Sequence, residues 1–350
     1  MRPRRFVIAG LGSAGQRHVR NLRRLCGPDT EIIAWRVRGL DVVIDDQLHA
    51  TVGRRLDAAY GLKVVTRLEE GLAAKPDALI VANPIAFHLD AARSAVAAGC
   101  SVFIEKPLSH SWDGVEELIE MSRERRLVTY VGYQMRFHPG LQLVKRLLDE
   151  DRIGRVVSAQ FHFGEYLPGM HPYEDYREGH AARKAQGGGA VLCLSHELDL
   201  AQWFFGMPRQ VSAVGGRCSA LELDVEDTAT ILLDCSQDGR PLPVSVHLDF
   251  VQRPPRRFCE IVGEQGTIRW DDCEHSVQRF DPAIGAWRIE RLQPFDRNQM
   301  FLDELAHFLR CLEGTETPLI PAEEGAKALK IALAALAAIE TTQGVAVAHG

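Results

Sequence analysis

The stretch GLGSAGQRHVRNL, residues 10–22, constrains the fold more than any other part of the chain. Its glycines at positions 10, 12 and 15 fit the spacing G-x-G-x-x-G. The β-rich run RRFVIAG (4–10) precedes it. SAGQRHVRNLRRLC (13–26) follows, with apolar residues at 14, 19, 22 and 25, close to helical spacing. Strand, glycine turn and helix in that order form a cradle for a dinucleotide. Gly10 would allow the tight turn, Gly12 would let a pyrophosphate approach the backbone, and Gly15 would let helix and strand pack closely. The helix start at Ser13 and Ala14 would offer free N–H groups and a positive dipole to the phosphates. The competing reading is a glycine-rich turn without a ligand.

Strand and helix signals continue to alternate as far as residue 133. Strand-like runs occur at 31–38, 63–66, 77–83, 101–107 and 127–133, with helical runs at 68–74, 86–99 and 112–126 between them. Gly99 is a natural helix C-cap. Such alternation predicts a parallel sheet covered on both faces, wound in the doubly wound order. Beyond residue 133 the pattern changes. A helix over 139–150, a strand over 156–167 and one helix over 191–206 precede consecutive strand-like runs separated by turn residues. Those runs predict an open, mostly antiparallel sheet with one broad face. Helices over 298–314 and 322–343 close the chain. The reading is α/β: a dinucleotide-binding domain over 1–130 and a substrate-binding and oligomerisation domain over 131–350.

Composition narrows the function classes. The net charge of −6 in 350 residues gives no basic field for nucleic acid. No run of eighteen apolar residues exists, so no membrane span is expected. The apolar part of MRPRRFVIAG is too short and glycine-rich for a signal peptide and reads as the first strand. None of the eight cysteines forms C-x-x-C or a zinc-ligand spacing with histidine, so reduced thiols, no metal and a cytoplasmic location are expected.

The end of the second strand bears on the choice of nucleotide. An Asp or Glu there would bond the ribose 2′-hydroxyl of NAD(H). Here EIIAWRVRG ends on Arg36 and Arg38, which alternate along the strand and share a side. Guanidinium groups suit a 2′-phosphate, so NADP(H) is favoured, with NAD(H) the alternative. Two solvated surface arginines are the plainer explanation.

Five segments in order, VIAGLGSAGQRHVRNL, ANPIAFH, VFIEKPLS, GYQMRFHPGLQLVK and GGGAVLCLSHELDLAQWFFG, resemble the Gfo/Idh/MocA family of sugar oxidoreductases over nearly the full length. The strand-end EKP and the Gly-Gly-Gly…His-x-x-Asp helix are the specific features. DYREGHAARKAQGGG is similar to a branch that accompanies surface-polysaccharide and nonulosonic-acid biosynthesis. The resemblance implies a Rossmann domain, a nicotinamide cofactor and hydride transfer on a ring hydroxyl or ketone. The implied substrate is a sugar, a sugar acid or a nucleotide sugar.

It also implies roles for individual residues. Lys106 of EKP, after Glu105, matches the lysine beside the nicotinamide and the reacting oxygen. Its place at the carboxyl end of a parallel strand suits that role, and an ammonium there can stabilise a developing alkoxide. His196 matches the family's acid–base histidine, for which an imidazole is well suited. Asn83, Pro84 and His88 match the loop lining the cofactor. Gln134, Arg136 and His138 match a segment reaching the nicotinamide or substrate. Tyr176, Arg183 and Lys184 match the branch's substrate stretch. Asp199 shares a predicted helix face with His196 and Cys193, where it could orient the imidazole. Each of these residues has a structural reading too.

One departure stands out. Many relatives carry an acid one turn before the histidine, where this chain has Leu192 and Cys193. A carboxylate-assisted proton relay is thereby placed in doubt. A catalytically weak or inactive cofactor-binding sensor, or a partner protein of a sugar pathway, is the rival reading. An uncovered apolar sheet face would need a partner, so a homodimer or homotetramer through the C-terminal sheet is expected.

Overall fold

The glycine turn lies in a crevice between two strands, and the order of the first sheet makes that crevice. The computed structural model describes every residue except 1–3, 38–41, 46, 293–295 and 348–350. Strands β1 (Arg5–Ala9), β2 (Glu31–Trp35), β5 (Lys63–Val65), β6 (Ala78–Val81), β7 (Ser101–Glu105) and β8 (Thr129–Gly132) are all parallel, in the order β5-β2-β1-β6-β7-β8. A short hairpin of β3 (Val42–Ile44) and β4 (Ala50–Val52) stands apart. Helices α1 (Ser13–Cys26), α2 (Leu56–Tyr60), α3 (Leu68–Ala73), α4 (His88–Ala97) and α5 (Val115–Glu124) complete this half. The sheet interior is wholly apolar, from Phe6–Ala9 through Ala78–Val81 to Val102–Ile104, as expected of strands covered on both faces. The order reverses between β1 and β6, and ligands of such sheets bind at that switch point.

The second half is built on a nine-stranded sheet of order β16-β15-β14-β13-β9-β12-β11-β10-β17. Its members are β9 (Val156–Gly164), β10 (Gln210–Gly216), β11 (Thr228–Asp234), β12 (Pro243–Asp249), β13 (Arg256–Gly263), β14 (Gly266–Asp271), β15 (Ser276–Asp281), β16 (Ala286–Arg291) and β17 (Val345–Ala346). Only the β9–β12 pair is parallel. Helices α6 (Pro139–Asp149), α7 (Leu167–Met170), α8 (Ala190–Cys193), α9 (His196–Phe205), α10 (Asn298–Leu312) and α11 (Ala322–Thr341) accompany it. Strict alternation buries Ala159, Phe161, Val244, Val246, Ile231 and Leu233 under the helices. Strands β15 and β16 were not evident in the sequence, where polar residues obscure their alternation.

The chain end returns to the first half. Val131 N–H donates to Ile320 C=O at 2.9 Å, and Tyr130 bridges Pro321, so residues 320–321 cover the outer edge of β8. Asn21 of α1 and Asn298 of α10 exchange reciprocal amide hydrogen bonds at 3.1 and 2.9 Å.

Two expectations need correction. The open sheet face is not apolar: it presents Ser158, Gln160, His162, Thr230, Ser245, His247 and Glu260, with only scattered apolar residues such as Leu232 and Val214 exposed. His162 stacks between His247 and Phe258 there, with centroids 4.9 and 5.1 Å away. The helix expected over 191–206 is two helices, because Leu194 and Ser195 form a turn between α8 and α9. All eight cysteines are free thiols. Among the described residues no helix is long and apolar enough to cross a membrane, and no group of three or more His, Cys, Asp or Glu is placed to hold a metal ion.

Candidate active site

The glycine turn has the shape that close approach requires. A Cβ on Gly15 would sit 2.0 Å from the Gly10 carbonyl oxygen, so only glycine lets α1 rest on β1. Gly10 itself has φ +89°, in the region that favours glycine. Gly12, the N-cap of α1, faces open space, and no side chain caps the helix or places an acid in its first turn. The orphan N–H groups of Ser13, Ala14 and Gly15 are therefore available to a phosphate. Across the crevice, Asn83 Oδ1 is buried without a hydrogen-bond partner. Open space, orphan donors and an orphan acceptor fit a dinucleotide.

Neighbouring loops stiffen this crevice. His88 is buried, with Nδ1 2.9 Å from the Pro107 carbonyl and Nε2 2.8 Å from that of Asn83. It ties the loop after β6 to the loop after β7, and burial lowers its pKa. Pro84 C=O accepts from Phe87 N at 2.9 Å and closes the turn that starts α4. Glu105 accepts from His18 Nε2 at 2.8 Å. Burial opposes ionisation of Glu105, yet His18, Arg17 and Lys106 hold its carboxyl down at about 2. It is a fixed anion at the end of β7.

The nucleotide-discriminating stretch departs from its expected form. Strand β2 ends at Trp35, one residue before Arg36, so strand alternation does not set the direction of Arg36. The Arg36 backbone N–H donates to Val65 C=O at 3.1 Å, fixing the chain at the edge of the crevice. Arg38 lies outside the described residues.

Lys106 and His196 come together where the two halves meet. Strand β7 stops at Glu105, and Lys106 follows it into a cis peptide with Pro107. The ammonium donates to the main-chain carbonyl of Cys193 at the end of α8. Burial lowers the Lys106 pKa, opposed by Glu105 and reinforced by Arg257. His196 opens α9, and its Nε2 accepts from the Gln134 side-chain amide at 3.2 Å. With Nε2 accepting, the neutral ring carries its proton on Nδ1, which is buried without a partner among the described residues. Burial, Lys106, Arg257 and Arg297 push this imidazole well below its usual range, so it is neutral. Cys193 is buried and its thiol is pushed up to about 12 by burial, so it cannot stand in for an acid. What α8 contributes to the site is the Cys193 carbonyl.

Several expected site residues are engaged elsewhere. Arg136 and Asp199 form a two-pronged ion pair at 2.9 and 2.6 Å, with side chains only 2% and 0% exposed. Gln202 and Glu324 also accept from Arg136, at 3.0 and 3.1 Å. Asp199 thus holds Arg136 and does not orient His196, because both of its oxygens are taken by the guanidinium; the turn at 194–195 separates Cys193 from the face that His196 and Asp199 share. His138 is the N-cap of α6: its Nδ1 accepts from Gly140 N and Leu141 N at 3.1 and 3.4 Å, and its ring meets Trp270 edge-on at 5.1 Å. Tyr176, Arg183 and Lys184 lie on a strap, residues 165–189, that crosses from the second half toward the first. Tyr176 Oη accepts from Glu222 N at 3.2 Å, Arg183 is 3.7 Å from Glu178, and Lys184 N donates to Asp224 at 2.5 Å. The first and last of these contacts pin the strap to the 222–226 segment.

The sequence reading passed over other residues at this site. Tyr173 on the strap hydrogen-bonds with Ser13 of the glycine turn, and burial raises its phenol to about 12. His180 is pushed down to about 4 by burial, His171 and Lys106. Arg257 pairs with Glu197 at 2.7 Å beside His196. The first two carried no periodic signal. Arg257 did carry one: in RRFCEIVG it occupies an inward position alternating with Cys259 and Ile261, where a charge is out of place.

Comparison with known proteins agrees with this architecture. A family model described as an oxidoreductase family with an NAD-binding Rossmann fold matches residues 4–133, and the GFO/IDH/MocA C-terminal domain matches 141–269. The 2,7-anhydro-N-acetylneuraminate hydratase of Mediterraneibacter gnavus is 27% identical over 273 residues, 77% of this chain and 67% of that protein. Inositol 2-dehydrogenase 3 of Saccharopolyspora erythraea is 26% identical over 315 residues, 87% of this chain and 85% of that one. The crystal structure of the WlbA dehydrogenase from Bordetella pertussis, in complex with NADH and UDP-GlcNAcA, superposes with a TM-score of 0.80 over 100% of both chains at 21% identity. With both halves matched in order, the chain belongs to the Gfo/Idh/MocA family of oxidoreductases.

Proposed function

We propose that the protein is a nicotinamide-dependent oxidoreductase acting on a ring hydroxyl or ketone of a sugar, sugar acid or nucleotide sugar. The observation that carries this reading is the meeting of the Lys106 ammonium and the His196 imidazole beside the dinucleotide crevice. The inositol dehydrogenase relative and the WlbA complex support the substrate class. Gly10, Gly12, Ser13, Ala14, Gly15, Asn83 and Gln134 would hold the cofactor, with Pro84, His88 and Glu105 shaping the walls. When bound, the nicotinamide accepts or returns a hydride.

The remaining chemistry falls to side chains. Lys106 is steadied by the Cys193 carbonyl and polarises the reacting oxygen. His196 exchanges the hydroxyl proton at Nε2, the nitrogen whose lone pair otherwise accepts from Gln134, while Nδ1 keeps the ring's own proton. A neutral imidazole is the form able to take a proton as the alcohol is oxidised. Arg36 favours NADP(H) within an NAD-binding family. Self-association through the polar open sheet face belongs to the same reading, and light scattering at micromolar concentration tests it.

The central test pairs two measurements on Lys106→Ala and His196→Asn. Quenching of NAD(P)H fluorescence reads cofactor binding, and absorbance at about 340 nm reads turnover on a panel of inositols, sugar acids and nucleotide sugars. Retained binding with lost turnover in both variants is the expected result. Turnover unchanged in both would sink the assignment. A wild type that binds cofactor and turns over no sugar would favour the non-catalytic sensor, a reading prompted by Cys193 standing where relatives carry an acid.

A further inference from the structure

For Gln134 to touch His196, two separate segments must be held together: the single turn 134–137 after β8 and the start of α9. Arg257 stands behind both. It enters from β13 on the face covered by helices, where burying a guanidinium is costly unless it is paired. Its Nε donates to Glu197 Oε1 at 2.7 Å, and its Nη1 lies 3.4 Å from Met135 Sδ. Its plane rests over the Phe163 ring, 4.4 Å from the centroid. Glu197 is the chain neighbour of His196, and Met135 is the chain neighbour of Gln134. One guanidinium therefore grips the neighbours of both members of the contact.

The pair is not closed on itself. Arg257 Nη2 and Glu197 Oε2 are both buried without partners among the described residues. Arg136 and Asp199, by contrast, form a two-pronged pair with further acceptors around it. A buried pair kept for stability satisfies its remaining protons and lone pairs. This one leaves them open beside the candidate catalytic groups.

We propose that Arg257 is a positioning residue of the active site, clipping together the segments that carry Gln134 and His196 and placing a permanent cation beside the imidazole. The inference rests on the reading of His196 as the acid–base group. The charges facing the ring are Lys106 from the end of β7, Arg257 from β13 and Arg297 from ahead of α10. Glu197 is taken up by Arg257, and Asp199 by Arg136. Arg257 is thus one of three cations that disfavour an imidazolium, and the one that also fixes the ring's partner.

Nitrogen-15 NMR of the histidine side chains in the full chain, titrated from about pH 8 down to the acid limit of folding, tests this without a substrate. Arg257→Gln removes both charge and clip. Its His196 signal should titrate with proton affinity raised about tenfold or more over wild type. Arg257→Lys keeps a cation but cannot span Glu197 and Met135. It should leave the ring neutral while moving the Nε2 resonance, because Gln134 is no longer held. An Arg257→Gln titration that superimposes on wild type overturns the proposal. So does an Arg257→Lys spectrum with Nε2 unmoved, which decides the matter alone if Arg257→Gln does not fold. Failure of the catalytic reading shows separately, as turnover surviving His196→Asn.

Discussion

The Lys106 ammonium donates to the main-chain carbonyl of Cys193, so a lysine from the first sheet is anchored by a helix end from the second half. Any residue at position 193 presents that carbonyl. Cys193→Ala should therefore retain cofactor binding and keep kcat within about threefold of wild type. Lys106→Ala should lose roughly a hundredfold or more, the scale seen when a stabiliser of developing charge is removed. Steady-state kinetics on the best sugar of the panel compare the two. An equal loss in Cys193→Ala would give the thiol the role assigned here to the carbonyl.

Arg36 leaves β2 at the edge of the crevice, where a 2′-phosphate would meet a guanidinium. Arg36→Ala should weaken NADP(H) binding about tenfold or more and leave NAD(H) nearly unchanged. Fluorescence titration with each reduced cofactor measures both constants. Equal changes would remove Arg36 from cofactor choice.

Arg136 and Asp199 are buried partners, and removing either one strands a charge. Arg136→Met or Asp199→Asn should each cost about 3–5 kcal/mol in urea unfolding. NAD(P)H affinity of whatever remains folded should match wild type. A variant of normal stability that loses only turnover would return these residues to the substrate.

His138 couples a helix cap to pH. Burial, with Arg257 and His275, lowers its pKa from 6.5 to about 3. Between those values the unfolded chain takes up a proton that the folded chain refuses. Stability from this source is thus full above about pH 6.5 and falls as pH drops toward 3. His138→Asn keeps an acceptor suited to the N-cap, so stability at neutral pH should stay within about 1 kcal/mol. Melting temperature should then fall less steeply with acid than in wild type. An unchanged acid slope would locate the proton uptake elsewhere.

The first half was legible in the sequence because its strands are buried on both faces and punctuated by glycine and proline. Phe6–Ala9 and Ala78–Val81 read as strands without ambiguity. The site was legible only in part. Lys106 and His196 were placed by motif, but the break at Leu194–Ser195 was not, since every residue from Ala190 to Gln202 is buried and the apolar pattern runs through the turn. That break is why Cys193 offers a carbonyl to Lys106, and Asp199 serves Arg136 because the turn after β8 brings that guanidinium to it. Both consequences depend on partners more than sixty residues away, which no local pattern records.

The outer edge of β8 is sealed by Ile320 and Pro321, while Asn298 locks onto Asn21. A fragment ending near residue 133 would bare a row of unpaired backbone groups, a template for aggregation. Swapping the nucleotide-binding half between relatives would therefore require the closing helices to travel with it. In engineering terms, the transferable unit is discontinuous: the start and the end of the chain form one graft, with the large sheet as the insert.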